Sequence, residues 1–167
     1  AQITLATDDG FVPLHAAAEA GHKELCQFLS RIRKVKAHKG RDPVDVKSQG
    51  AMTPLHLACW NGNVGAIETL VEIGADIESR TAEGVTPLYL AAQNGHFRAV
   101  EYLTQLKANI NAASDAGATP LHVAAQGGHH RCVEWLVHHN AVIEAKLNED
   151  AGGMTPLWLA AEFGHET

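Results

Sequence analysis

The sequence predicts an all-α repeat solenoid, a row of stacked helix-turn-helix units joined by β-turn fingers, and three observations carry that prediction. A four-residue phrase recurs five times, as Val12-Pro13-Leu14-His15, Thr53-Pro54-Leu55-His56, Thr86-Pro87-Leu88-Tyr89, Thr119-Pro120-Leu121-His122 and Thr155-Pro156-Leu157-Trp158. Its prolines stand 41, 33, 33 and 36 residues apart, a base period of 33 with eight extra residues after the first copy and three after the fourth. A period of this size marks an array whose units bury their apolar faces on one another. Only 5% of the 167 residues are aromatic while 46% are apolar, which leaves Ala and Leu to fill an interior of helix packed on helix.

The second copy justifies each element in turn. Thr53 can cap a helix N-terminus, and Pro54 supplies a preset φ at the first helical position, where a missing N–H costs nothing. Ala58 and Cys59 let a partner helix approach closely, and Gly62 provides the left-handed residue that ends a helix of about two turns. Val64, Ile67, Leu70 and Val71 recur at helical spacing, so a second, antiparallel helix runs until Gly74. The stretch from Ala75 to Gly84 is polar and turn-rich and reads as an extended finger ending in a β-turn.

These copies resemble ankyrin repeats, whose pattern combines Thr-Pro-Leu-His-x-Ala-Ala, a Gly-His pair, a Leu-rich second helix and a Gly-Ala-Asp finger. Gly21-His22, Gly95-His96, Gly128-His129 and Gly164-His165 follow their prolines by the same eight and nine residues, with Gly62-Asn63 as the variant. The resemblance covers essentially the whole chain. It divides residues 1–167 into the tail of an earlier unit (1–6), unit one with a basic insertion (7–47), unit two (48–80), unit three (81–113), unit four with a short insertion (114–149) and the first half of unit five (150–167). The expectation is a window onto a longer array, since no polar capping unit is visible at either end. Val12 replaces the capping Thr in the first copy, which should cost about 1 kcal/mol locally. Lys107 and Asn140 stand where Gly74 ends the equivalent helix; Asn tolerates a left-handed conformation, whereas Lys pays about 1 kcal/mol or bends the helix end.

Composition excludes several classes. No apolar run approaches the roughly 18 residues of a membrane span, and the first ten residues carry no basic start followed by an apolar stretch. Cys26, Cys59 and Cys132 are an odd number without a Cys-x-x-Cys pair, and they read as reduced, buried thiols of an intracellular protein, cytoplasmic with the nucleus allowed. Of eleven histidines, seven belong to the repeat; His38, His130, His138 and His139 are extra and lack metal-ligand spacing. There is no Gly-rich phosphate loop, Gly-x-Ser-x-Gly or His-Glu-x-x-His. The chain is therefore expected to be no enzyme, to use no cofactor and no small-molecule substrate, and not to target nucleic acid.

What the resemblance implies instead is a non-catalytic interaction module, binding a peptide or folded domain on a concave face lined by finger tips and first helices. The alternative is the regulatory or targeting arm of a larger enzyme, channel or signalling protein. Recognition residues are those the repeat does not dictate: Glu19, Trp60, Asn61, Gln93, Asn94, Gln126 and Phe163 at the ends of first helices, and Met52, Arg80 and Glu83 at the finger tips. Val85 and Ala118 belong to the same finger set. Trp60 stands out in a column of Glu and Gln, and Trp is enriched among binding hot spots; the competing reading is a Trp lying over adjacent helices. Phe28, Tyr102 and Trp135 share one place in the second helices and are expected in the core.

Residues 31–47 hold seven of the thirteen basic residues against Asp42 and Asp45 alone, a segment of +5 in a chain of −6. Arg31, Arg33, Lys34, Lys36, Lys39 and Arg41 are the candidate docking set for an acidic or phosphorylated segment, the competing reading being a solvated loop. Leu25, Phe28, Leu29, Ile32 and Val35 extend the second helix by another turn or two before Gly40. Asn111 resembles the finger asparagine that intracellular hydroxylases modify in ankyrin repeats; the competing reading is a turn asparagine bonded to local backbone.

Overall fold

In the computed structural model, residues 6–36 and 44–165 are described, with the side chains of 32–36 outside that description. The described residues form α1 (Pro13–Glu19), α2 (Lys23–Lys36), α3 (Pro54–Trp60), α4 (Val64–Glu72), α5 (Pro87–Gln93), α6 (Phe97–Gln105), α7 (Pro120–Gln126), α8 (His130–His138) and α9 (Pro156–Glu162), with one 3-10 turn at Glu149–Ala151 and no strand. Every first helix starts on the proline of the phrase. Each of α1, α3, α5 and α7 pairs with its own second helix, and consecutive first helices pair with one another, giving two layers, α1-α3-α5-α7-α9 and α2-α4-α6-α8.

The first layer is the tighter one. Ala17-Ala18, Ala58-Cys59, Ala91-Ala92 and Ala124-Ala125 occupy the fourth and fifth places after each proline and are at most 5% exposed. Small side chains there let the first helices come closer together than the second helices do. Closer spacing in one layer curves the stack, with the first helices on the inner side. Leu14, Leu55, Leu88, Leu121, Ile67, Leu70, Val100, Leu103 and Leu136 fill the space between the layers.

Each finger tip closes with a turn from the Thr or Ser at its start: Gly10 N–H donates to Thr7 O, Ala51 to Ser48 O, Gly84 to Thr81 O and Gly117 to Ser114 O, at 2.9–3.1 Å. One backbone bond then ties each tip to the one before it, Gln49 N–H to Asp9 O, Ala82 to Gly50 O, Asp115 to Glu83 O and Asn148 to Ala116 O. The tips form a continuous ridge.

Three side chains sit in left-handed backbone that glycine fills elsewhere. Ala51 has φ 56° where the other tips carry Gly10, Gly84 and Gly117, and Lys107 has φ 67° where unit two carries Gly74. Asn140 takes φ 68° at the same place in unit four, so the Lys helix end keeps the left-handed stop rather than bending away. Lys107→Gly and Ala51→Gly are each expected to raise stability by up to about 1 kcal/mol, read from urea unfolding midpoints.

Helix α2 is 14 residues long where α4, α6 and α8 are nine, as the apolar spacing past Leu29 predicted. One core assignment fails. Tyr102 and Trp135 are partly buried against the core, but Phe28 is 58% exposed. Trp135 shows why: its indole N–H donates to Thr104 Oγ1 (2.8 Å) and its ring meets Phe97 edge-on at 5.7 Å, both on α6 of the preceding unit. The side chain at this place leans backwards, and no second helix precedes α2 among the described residues.

Candidate functional site

Two sets of recurrent polar residues hold the units in register and so position the surface that varies. In the phrase, the His56 ring is fully buried. Its Nδ1 accepts the Thr53 N–H (3.2 Å) and lies 2.8 Å from Thr53 Oγ1, so the proton is on Nε2, which donates to Val85 O of the next finger at 3.1 Å. His15 and His122 repeat the arrangement toward Met52 O and Met154 O. Burial lowers the His56 pKa from 6.5 to about 4 and lowers that of His122 as well. The His56 and His122 rings are neutral struts between units.

The histidine after the glycine makes the second stitch. His96 Nε2 reaches Trp60 O (2.9 Å), His129 reaches Gln93 O (2.9 Å) and His165 reaches Gln126 O (3.0 Å), in each case the last residue of the preceding first helix. Asn63, the variant, keeps the bond with its side-chain amide, donating to Glu19 O at 2.7 Å. The glycines are needed for this contact. A Cβ on Gly62, Gly95 or Gly128 would fall about 2.5 Å from the ring of the next unit's histidine, besides forbidding the positive φ that ends each helix.

The backbone at the ends of α1, α3, α5 and α7 is therefore clamped by the following unit. Glu19, Trp60, Gln93, Gln126 and Glu162 form one column, every member exposed. Trp60, 44% exposed, is the apolar member of that column. In the adjacent column Asn61 and Asn94 turn their amides back to cap Leu57 O and Leu90 O at 3.2 and 3.0 Å, and Phe163 is 52% exposed at the end of α9. Their helix-capping role was not visible in the sequence.

The finger residues divide. Glu83 is exposed at a tip. Arg80 is exposed, but its guanidinium donates to Ala113 O of the next finger at 2.9 Å, while Lys47 Nζ donates to Arg80 O at 3.2 Å. Met52 lies not at a tip but half-buried against the core, and Val85 in the same register is buried. The chain is returning to the helix at this place and offers its carbonyl to the buried histidine.

Asn111 bonds beyond its own turn. Its Oδ1 accepts the Val142 N–H (2.8 Å) and its Nδ2 donates to Asn140 O (3.3 Å), both in the next unit. Glu78 does the same for Asn109 N–H (2.7 Å), and Asp45 for Asp76 N–H (3.1 Å). This acceptor column escaped the sequence reading because its partners are 31 residues away. Asn111→Ala is expected to cost about 1 kcal/mol in urea unfolding, with faster amide exchange at Val142.

Of the basic set, Arg31 is exposed on α2. The side chains of Arg33, Lys34 and Lys36, and all of Lys39 and Arg41, lie outside the described residues. Among the described residues no group of three potential metal ligands converges, and the three free thiols are buried, with Cys26 and Cys132 pushed up to about 11 and Cys59 also raised. None is a ready nucleophile. No described helix is long and apolar enough to cross a membrane.

A family model described as ankyrin repeats in three copies matches residues 1–81, 68–146 and 106–167, which together span the sequence. The chain belongs to the ankyrin-repeat family. Among curated proteins, the human transient receptor potential cation channel subfamily A member 1 is 32% identical over 69 residues. That match takes in 41% of this chain and 6% of the channel, so the chain spans a small fraction of this relative's length. The family is generally one of protein-interaction modules, and the ankyrin units here carry the exposed Trp60 column on the inner, first-helix side of the stack.

Proposed function

We propose that this chain is a non-catalytic protein-interaction module whose partner, a peptide or folded domain, docks on the surface formed by the tip ridge and the ends of the first helices. The observation that carries the reading is Trp60, an indole 44% exposed on a backbone clamped by the His96 stitch. A rigidly mounted, desolvatable aromatic is what binding hot spots are made of. Glu19, Gln93, Gln126 and Glu83 supply the polar rim. Residence inside the cell, in the cytoplasm or nucleus, is part of the proposal and is supported by three free, buried cysteines.

Capture from a native-cell lysate by wild-type and Trp60→Ala chains tests it. Trp60→Ala is expected to lose prey that the wild type retains, with affinity for any purified partner down by about 2 kcal/mol, while its unfolding midpoint stays unchanged. Identical prey would contradict the proposal.

The 69-residue match to a channel favours a second reading, that the array is the regulatory or targeting arm of a larger enzyme, channel or signalling protein. Sequencing the complete reading frame decides it: a catalytic or membrane-spanning region in the same chain supports it, and an array without one contradicts it. Docking of an acidic or phosphorylated segment on the basic residues after Leu29 is a separate proposal. Neutralising Arg33, Lys34 and Lys36 should lower partner affinity and flatten its salt dependence; no change in either would refute it. Hydroxylation of Asn111 is likewise a proposal, tested by mass spectrometry of protein from its native cells, where absence of an added oxygen removes it.

A further inference from the structure

The chemistry of the docking surface selects among partners. Across the ridge, the tips carry Asp8, Asp9, Glu83, Asp115, Glu149 and Asp150, all exposed, and no Lys or Arg lies between the Thr or Ser that opens a tip and the helix that follows it. Glu19 and Glu162 add two more carboxylates in the column that holds Trp60. The salt bridge found among the described residues, Lys23 to Glu24 at 3.8 Å, involves none of these eight.

Among the described residues, Lys47, Arg80 and Lys146 stand one place before the tips, and the first two are drawn onto backbone carbonyls of the following unit. The outer, second-helix side is mixed: Arg98 and Arg131 stand there with Glu68, Glu72, Glu101 and Glu134, and α2 carries Lys23, Glu24 and Arg31. The carboxylates thus gather on the tips and first-helix ends, the face that also carries the exposed Trp60 indole.

We infer that the partner segment received by this face is basic, an extended Lys- or Arg-bearing stretch of protein whose cationic groups meet the tip carboxylates while one side chain lies over the Trp60 indole. This rests on the docking surface proposed above and names the class of its occupant. Trp is the strongest of the aromatic partners for a guanidinium or ammonium. The tip carboxylates of units one, three, four and five flank an uncharged unit-two tip, Ser48-Gln49-Gly50-Ala51, and such a grouping of one sign speeds encounter with a cation and repels acidic competitors.

Fluorescence anisotropy with labelled octa-arginine tests the inference on the full chain. The comparison is between wild type, Trp60→Ala, Glu83→Gln/Asp115→Asn and Glu68→Gln/Glu134→Gln, the last removing the same charge from the outer face. Trp60→Ala is expected to weaken binding about 5-fold through the lost cation–π contact. The tip pair should weaken it about 3-fold and reduce its salt dependence, and the outer pair less than about 1.5-fold, because a charge more than a Debye length away is screened.

Equal losses from the two charge pairs, or no loss from Trp60→Ala, would overturn the inference. The failures are separable. If Trp60→Ala loses its lysate partner while octa-arginine neither binds wild type nor competes with that partner, the docking surface stands and the basic class is wrong. If lysate capture is also indifferent to Trp60, the surface itself is wrong.

Discussion

His56→Leu is expected to destabilise the array by about 3 kcal/mol, although the substitution keeps the volume and apolar contacts of a fully buried side chain. The loss has two parts. The Thr53 N–H, buried with its residue, loses Nδ1 as its acceptor (3.2 Å), and an unsatisfied buried donor costs 1–3 kcal/mol. The strut from Nε2 to Val85 O disappears as well; since Val85 O also accepts the Thr81 N–H, this part is about 1 kcal/mol. Urea unfolding with an unchanged slope reads the sum. The unit containing Tyr89 supplies a native contrast, because Tyr cannot make the two-sided bridge there, and Tyr89→Phe should cost well under half as much as His56→Leu.

Mild acid should produce the second large effect. The folded chain holds His56 at about 4 against an ordinary 6.5, so the unfolded chain takes up the proton first as the pH falls. The stabilisation is complete above pH 6.5 and is lost as pH drops through 4. For this one residue the loss is about 2 kcal/mol at pH 5 and about 3 kcal/mol at pH 4. His122, shifted in the same direction by burial, adds to the slope. Measured at pH 7 and pH 5, wild type should therefore lose about 2 kcal/mol more than His56→Leu does. Equal losses would mean that His56 protonates without breaking its bonds.

Sequence reading reached the parts of this molecule that are set by local rules. The helix starts at Pro54, Pro87 and Pro120, the left-handed stops at Gly62 and Gly74, and the buried cysteines all follow from residue chemistry within a few positions. The parts it missed depend on contacts a full unit away. Phe28 shares a register with Trp135, yet its exposure is decided by whether a second helix precedes it. Asn111 reads as a turn residue until Val142, 31 positions on, is seen to donate to it. Met52 was placed at a tip because sequence cannot show that the chain has already turned inward there. That Trp60 departs from the Glu and Gln of its column is visible in the sequence; that His96 fixes its backbone needed the fold.

The account turns on which face meets the partner. The most direct measurement places a photo-crosslinking residue at positions 60 and 126, on the ends of first helices, and separately at 68 and 134, on second helices, followed by irradiation in a native-cell lysate. The account predicts heavier adducts of the same protein from positions 60 and 126, reduced by competing octa-arginine, and little from 68 and 134. Adducts formed chiefly from 68 and 134 would place the partner on the outer face and contradict it.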